Sequence, residues 1–180
     1  IGGSAGSFQV VVRILHALPK SYPVPVLLSL HRLKHVRNGF VEALSIKSSI
    51  PVVEPCDKDP LRGGVAYLAP ANYHMLVEFG NRILLSTEAP VNHSRPSIDL
   101  TFNSVARAYR EHAVGVILSG ANRDGASGLY RLKRAGGYAM VQDPADCEMP
   151  TMSEAALAAT PVDFVGNAEQ LVERLLQIAG

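Results

Sequence analysis

The chain begins with IGGSAGSFQVVVRILHALP (residues 1–19), and this stretch decides the fold. Small residues separate the apolar Ile1 from residues 8–18, where apolar side chains recur with the spacing of a helix face. Pro19 is a typical helix end. The pattern therefore predicts a strand, a tight turn and a helix. Ser4 lies in the turn, which has three possible uses: a nucleotide-phosphate cradle, a nucleophile elbow or a plain tight connection.

The remaining sequence continues this alternation of strands and helices. The apolar runs VPVLLSL (residues 24–30) and AVGVILSG (residues 113–120) lack polar alternation, which is typical of strands buried on both faces. Further helices are predicted near residues 39–48, after an N-cap at Ser97, within residues 129–137, and at SEAALAA and NAEQLVERLLQI. Short β-prone pieces at residues 65–68, 74–78 and 82–86 predict small antiparallel hairpins. We expect a single domain over residues 1–180, a doubly wound α/β fold with a mostly parallel sheet, flanking helices and a small antiparallel hairpin region.

Composition excludes several classes of function. Seventeen basic and sixteen acidic residues leave a net charge of +1, and aromatic residues make up only 6%, so a nucleic-acid partner is not expected. No apolar run approaches the ~18–20 residues that span a bilayer, so we expect no membrane insertion. Two cysteines, Cys56 and Cys147, favour a reducing compartment, and a cytoplasmic location is predicted. No His, Cys, Asp or Glu cluster has ligand spacing, so neither a metal nor another cofactor is expected.

Three chemically active side chains follow three predicted strands. Ser4 follows the first strand, His31 the second, and Asp124 follows the AVGVILSG strand. Because ligands of such folds bind at the carboxyl ends of the strands, these groups suggest an acyl-transfer triad. Taken singly, each has a structural explanation: Ser4 as a helix cap, His31 as a loop hydrogen-bonding group, Asp124 as a turn residue.

Two known glycine-rich motifs fit this turn poorly. GGSAGS has neither the dinucleotide-binding spacing nor the Gly-Lys-Ser/Thr ending of a phosphate loop. The α/β-hydrolase elbow requires the order serine, acid, histidine, whereas the order here is Ser4, His31, Asp124. The sequence therefore favours the same triad geometry on a fold other than the α/β-hydrolase fold.

Several long motifs resemble the catalytic domain of the chemotaxis protein-glutamate methylesterases, the CheB family. They are GGSAGS, LSLH, RGGVAYLAPANYHM, PVNHSRPSIDLTFNSVA, AVGVILSGANRDGASGL and AGGYAMVQDPADCEMPTM. The resemblance implies hydrolysis of glutamyl methyl esters on the cytoplasmic helices of chemoreceptors, with release of methanol. Related enzymes also deamidate receptor glutamines.

The resemblance also implies roles for individual residues. Ser4 corresponds to the nucleophile, His31 to the general base, Asp124 to the orienting acid, and the backbone N–H of Ala121 to the oxyanion donor. On physical grounds alone, the N–H of Ala5 at the helix start is a second candidate donor. Arg95 is a candidate for binding an acidic substrate face, with a helix-entry salt bridge as the alternative.

The chain departs from the family in ways that concern substrate and regulation. The family usually reads Gly-Met-Gly-x-Asp-Gly where this chain has GANRDG (residues 120–125). The family's N-terminal receiver domain, with its phosphoacceptor aspartate, is not in this sequence, so we expect either a receiver domain lost from the start or a stand-alone esterase. Two other functions stay open: a catalytically idle adaptor, and an esterase or amidase for a different substrate.

Overall fold

A parallel sheet occupies the centre of the domain. The computed structural model describes residues 1–32 and 39–179, which form nine strands and six α-helices. The strands are β1 (Gly2–Gly3), β2 (Val26–Leu30), β3 (Val52–Val53), β4 (Ala66–Leu68), β5 (His74–Glu78), β6 (Arg82–Ser86), β7 (Val114–Ile117), β8 (Tyr138–Gln142) and β9 (Phe164–Gly166). The helices are α1 (Phe8–Ala17), α2 (Phe40–Ser45), α3 (Ile98–Tyr109), α4 (Ala126–Arg134), α5 (Thr151–Ala159) and α6 (Ala168–Ala179).

Seven strands form the sheet in the order β3-β4-β2-β1-β7-β8-β9, and every pairing is parallel. Strands β2, β3 and β4 lie on one side of β1, and strands β7, β8 and β9 lie on the other. β1 is therefore the point where the strand order reverses, and the crevice beside it is the usual place for a ligand in such folds. The predicted doubly wound fold is confirmed.

Helices cover both faces of the sheet. The contacts pair α1 with α6 on one face, and α3 with α4 and α4 with α5 on the other. Their apolar sides form two cores around the strands, one including Ile14 and Leu171 and the other including Phe102 and Leu129. Burial on both faces explains why the strand sequences are apolar throughout.

The hairpin region is smaller than predicted. β5 and β6 pair antiparallel, as expected, and β5 packs against α3. Residues 65–68 are a correction: Ala66–Leu68 pairs in parallel with β2 and β3 inside the main sheet. All three residues of this strand are buried, and burial in a central position outweighed the nearby glycine turns that suggested a hairpin. Within the described ranges, no helix has both the length and the apolar character needed to cross a bilayer.

Candidate active site

Ser4 lies in the turn between β1 and α1. Its N–H donates to the Ser119 carbonyl at 2.9 Å, and its own carbonyl accepts from the Ser7 N–H at 3.1 Å and the Ser7 hydroxyl at 2.7 Å. Gly6 has φ +80°, a left-handed conformation that favours glycine. A Cβ on Gly3 would lie 2.6 Å from the Ser7 Cβ, so only glycine fits there. The small residues of the opening stretch thus hold Ser4 half-buried at the carboxyl end of β1.

His31 is the residue that follows β2. Its N–H donates to the Gly3 carbonyl at 3.0 Å, which continues the pairing of β2 with β1 to the point where the side chain begins. The side chain is 13% exposed, and Nε2 lies 2.7 Å from Oδ2 of Asp124. The sheet therefore brings His31 and Asp124 together, although they are far apart in sequence.

Asp124 is fully buried and accepts four hydrogen bonds. Oδ2 accepts from His31 Nε2 at 2.7 Å and from the Ile98 N–H at 2.7 Å, while Oδ1 accepts from the Asp99 N–H at 3.1 Å and the Ser97 hydroxyl at 3.2 Å. Burial alone raises the pKa of Asp124, but the bonds from His31, Ile98 and Asp99 outweigh it, and the net pKa lies below the ordinary value. A carboxylate at the N-terminus of α3 also faces the positive end of that helix. Asp124 is therefore held as an anion beside the imidazole.

Asn122 lies between Asp124 and His31, and sequence reasoning did not assign it a role. Its Oδ1 accepts the Asp124 N–H at 3.0 Å, which orients the amide so that Nδ2 faces His31 Nδ1 at 3.5 Å. An amide donor facing Nδ1 agrees with a neutral ring that carries its proton on Nε2 and donates it to Asp124. The nitrogen left to accept a proton is therefore Nδ1, the reverse of the serine-protease arrangement.

Asp99 is a second buried carboxyl group behind the site, and it too was missed from the sequence. Oδ1 accepts the N–H groups of Gly125 and Gly128 at 3.0 and 2.6 Å, which joins the start of α3 to the start of α4. Burial raises the pKa of Asp99, and the nearby charge of Asp124 raises it further. The two N–H donors act in the opposite direction but do not cancel this increase. The only sequence signal was its place in the first turn of a helix, which is common for aspartate.

His74 supports the same region from the hairpin. The side chain is fully buried; Nδ1 accepts the Ser97 N–H at 3.1 Å, and Nε2 lies 3.1 Å from the Ala89 carbonyl. These partners define a neutral ring that holds the N-cap of α3. His74 is a structural histidine, whereas His31 faces a groove.

An open groove of about 510 Å³ lies at the carboxyl ends of β1 and β2. Its lining residues are Ser4, Ala5, Gly6, Ser7, Phe8, Leu30, His31, Arg32 and Phe40. Ser4 and His31 thus share one surface, with Asp124 behind the histidine. Within the described residues, no hydrogen bond joins the Ser4 hydroxyl to the ring, and the N–H groups of Ala5 and Ala121 donate to no protein acceptor.

Arg32 forms one wall of this groove and was also missed from the sequence. Its side chain is 2% exposed; Nη2 donates to the Ala69 carbonyl at 2.8 Å and pairs with Glu54, and the guanidinium lies over the Phe40 ring at 5.4 Å. The groove wall next to His31 therefore contains a guanidinium fixed by an ion pair with Glu54.

The side chain of Arg95, the predicted substrate-binding residue, is hydrogen-bonded to neighbouring loop residues. Its guanidinium donates to Asn72 Oδ1 at 2.8 and 3.1 Å and to the carbonyls of Thr87 and Glu88 at 2.8 and 2.9 Å. These bonds replace the helix-entry salt bridge considered as an alternative, and the substrate role stays a prediction. Two other histidines, His35 and His93, are the candidates for the base if His31 is not; His93 has a left-handed backbone with φ +63°, and His35 lies outside the described residues.

The part of the chain that the structure describes contains no group of three or more His, Cys, Asp or Glu residues arranged to hold a metal ion. The reactive side chains that the fold brings to this edge of the sheet are a serine, an imidazole and a carboxylate. A parallel α/β sheet with this set at the ends of β1, β2 and β7 fits the class of ester-cleaving enzymes that use a serine nucleophile, on a fold other than that of the α/β-hydrolases.

Comparison with known proteins narrows the class to one family. Residues 1–175 match the CheB methylesterase family, and the chain belongs to it. The crystal structure of the Thermotoga maritima CheB methylesterase catalytic domain superposes with a TM-score of 0.94 at 26% identity, covering 98% of this chain and 95% of that one. The resemblance predicted from the sequence is confirmed.

Two relatives differ in how much of their own length this chain covers. A Leptospira interrogans protein, provisionally named a protein-glutamate methylesterase/protein-glutamine glutaminase, is 36% identical over 99% of this chain and 92% of its own length. The Trichodesmium erythraeum protein-glutamate methylesterase/protein-glutamine glutaminase is 35% identical over 97% of this chain but only 52% of its own length. The chain thus spans about half the length of the longer relatives.

Proposed function

We propose that this domain hydrolyses glutamate methyl esters on the cytoplasmic helices of methyl-accepting chemoreceptors and releases methanol, with Ser4 as nucleophile, His31 as base and Asp124 as orienting acid. The same site deamidates glutamine, since the relatives carry both activities in their names. Its place of action is the cytoplasm, where such receptor helices lie. The hydrogen bond of 2.7 Å between His31 and the buried Asp124, in the groove wall next to Ser4, is the observation that carries this proposal.

The first half of the reaction forms an acyl-enzyme. Nδ1 of His31 takes the proton of the Ser4 hydroxyl as Oγ bonds to the ester carbonyl carbon. The carbonyl oxygen becomes an oxyanion, and the N–H groups of Ala5 and Ala121 are the donors proposed to bind it. The C–OCH₃ bond then breaks, and the imidazolium returns its proton to the methoxy oxygen, which leaves as methanol. Asp124 stabilises the imidazolium between the two transfers.

The second half uses water in place of the serine. His31 takes a proton from a water molecule, whose oxygen bonds to the acyl carbon. The bond to Ser4 Oγ breaks, and the serine recovers its proton from the imidazolium. The product is a glutamyl carboxyl group that ionises in solution. With glutamine as substrate, the first leaving group is ammonia instead of methanol.

The decisive experiment measures methanol released from methylated receptor membranes. We expect release by the wild-type domain and loss of nearly all of it in Ser4→Ala, which keeps the fold because the turn is held by the Ser4 backbone. His31→Gln removes the base and is expected to lose most of the release as well. Full activity in Ser4→Ala overturns the nucleophile assignment. Binding of receptor without release by the wild type indicates the adaptor function instead.

A further inference from the structure

A groove lined by arginines lies between the C-terminal ends of α3 and α4, away from the site. Arg107 and Arg110 come from the end of α3 and the turn after it, and Arg131 and Arg134 come from the last turns of α4. The groove has a volume of about 570 Å³ and is completed by Phe79, Asn103, Ala106 and Ala135. All four arginines are exposed. We call this surface the arginine groove.

The charge of the arginine groove is not neutralised locally. Across residues 1–32 and 39–179, none of its four guanidinium groups makes an ion pair. The acidic side chains on the adjoining segments face other groups: Glu78 pairs with Lys58, and Glu111 lies 3.8 Å from His112. A helix C-terminus favours a nearby cation, but four cations around one groove also repel one another. In a protein whose net charge is only +1, this is a local concentration of positive charge.

Three further features of the arginine groove are typical of a binding surface. Phe79, at the tip of the β5–β6 hairpin, is 77% exposed, and arginine beside an aromatic ring is the composition enriched at interface hot spots. Oδ1 of Asn103 is buried without a hydrogen-bond partner among the described residues. Arg110 has φ 49° and ψ −119°, a backbone conformation that costs energy for a residue with a side chain.

The arginine groove is linked to the active site by a single helix. The first residues of α3, Ile98 and Asp99, donate their N–H groups to Asp124, and Arg107 lies in the last turn of the same helix. Twelve helical residues extend about 18 Å at 1.5 Å per residue. About the length of this helix therefore separates the arginine groove from the buried contact with Asp124.

We propose that the arginine groove docks an acidic stretch of the receptor helices that carry the ester, one or more turns away from the residue being hydrolysed. This inference rests on the proposed function. Its basis is charge complementarity: a surface that presents glutamates as methylation sites is acidic wherever the glutamates are not esterified. Contacts with exposed charges act mainly on the rate of encounter, and salt weakens them.

The test compares two substrates with two sets of variants. The substrates are methylated receptor membranes and a short soluble peptide with one γ-methyl glutamate, too short to reach the arginine groove. The variants are Arg107→Ala/Arg131→Ala and the charge-reversed Arg107→Glu/Arg131→Glu. The control is Arg13→Glu, an exposed arginine of α1 on the opposite face of the sheet. Melting temperatures verify that each variant is folded.

We expect kcat/KM on receptor membranes to fall about tenfold or more in the charge-reversed variant and less in the alanine variant, with kcat/KM on the peptide unchanged. Arg13→Glu leaves both values at wild-type level, and added salt reduces the difference between wild type and variants. Equal receptor kinetics in all folded proteins overturn the docking proposal while the function stands. A wild type that hydrolyses neither substrate overturns the function itself. A shift of duplex DNA that the charge-reversed variant loses, with unchanged receptor kinetics, assigns the groove to nucleic acid and also overturns the proposal.

Discussion

Asp124, at the scale of one residue, has contacts that differ from those of an ordinary turn aspartate. A turn aspartate bonds its own neighbours in sequence, whereas Asp124 accepts from the first turn of α3 and from His31. The sequence placed it correctly at a strand end, because parallel strands bring their carboxyl ends to one edge. It did not reveal the α3 N–H groups as partners, because no local pattern specifies which helix start will face which loop.

The variant Asp124→Asn should distinguish two roles of this side chain, orienting His31 and holding the start of α3. The amide has only one oxygen, so whichever way it turns, its NH₂ faces a backbone N–H of Ile98 or Asp99. We expect turnover to fall by about 10–10³-fold, less than the ~10⁴ of the serine-protease case, because an open, relatively slow site depends less on its acid. Methanol release, measured below the melting temperature of the variant, checks this.

Stability provides the control for that substitution. An unpaired backbone donor costs about 1–3 kcal/mol, so Asp124→Asn should melt earlier than wild type while Ser4→Ala does not. Wild-type turnover in folded Asp124→Asn would reduce the role of this carboxylate to holding α3.

Asn122 gives a second test at this scale, through the pH dependence of the rate. Asn122→Asp keeps an oxygen for the Asp124 N–H but turns a carboxylate oxygen, instead of an amide donor, toward Nδ1 of His31. The charged group that contacts the ring is Asp124, while Arg32 lines the same groove and is paired with Glu54. An added anion favours the protonated ring, so the acidic limb of kcat/KM should move upward by about one pH unit. Asn122→Ala, which adds no charge, is the matched control and should shift the limb much less. An unmoved limb in Asn122→Asp means that this side chain does not face the base.

Turns, at the scale of elements, decide where the side chains of the site lie. The strand–turn–helix at the start of the chain was predictable because small residues and helical periodicity are local signals. The strands Val52–Val53 and Phe164–Gly166 were not predicted, since two or three residues give no period to read. No role was predicted for Asn122 and Arg32 for a different reason: the contacts on which their roles depend are with segments that are distant in sequence.

Gly6→Ala should test the turn against a matched glycine elsewhere. Gly6 and Gly80 have similar backbones, with φ +80° and +92°. A Cβ at Gly80 meets nothing within 4 Å, whereas at Gly6 it would lie 2.5 Å from Glu148 Cβ and 2.7 Å from Ser119 Oγ. Gly80→Ala should therefore cost only the backbone strain, about 1–2 kcal/mol of unfolding free energy. Gly6→Ala should cost about 1–3 kcal/mol more, since close-packed neighbours must move, and should also lower turnover. If urea unfolding gave the same loss of unfolding free energy for both variants, the side chains of Glu148 and Ser119 would have to move aside at no measurable cost.

The whole molecule should respond to acid in part through the buried carboxylate. The pKa of Asp124 is lowered in the folded state, so its contribution to stability is present above the ordinary pKa of 3.8 and is lost as pH falls through the lower folded value. The difference in unfolding free energy between wild type and Asp124→Asn should thus shrink as pH falls below the ordinary pKa of 3.8 toward the lower folded value. Denaturant unfolding at several pH values measures it. A constant difference would mean that the carboxylate has the same pKa in the folded and unfolded chains.

The two-glycine strand at the centre of the sheet also has a consequence for folding kinetics. Gly2 pairs with Ser29 on one side and Ile117 on the other, so the nucleophile turn acquires its shape only when segments distant in sequence have met. Such non-local pairing forms slowly, whereas helices form within microseconds. During refolding from urea, far-UV ellipticity should therefore recover before esterase activity does. Simultaneous recovery of the two signals would instead mean that helices and central sheet form in one cooperative step. Activity is thus a reporter of the last contacts made by the chain, and a nascent protein acquires it only after β7 has been synthesised.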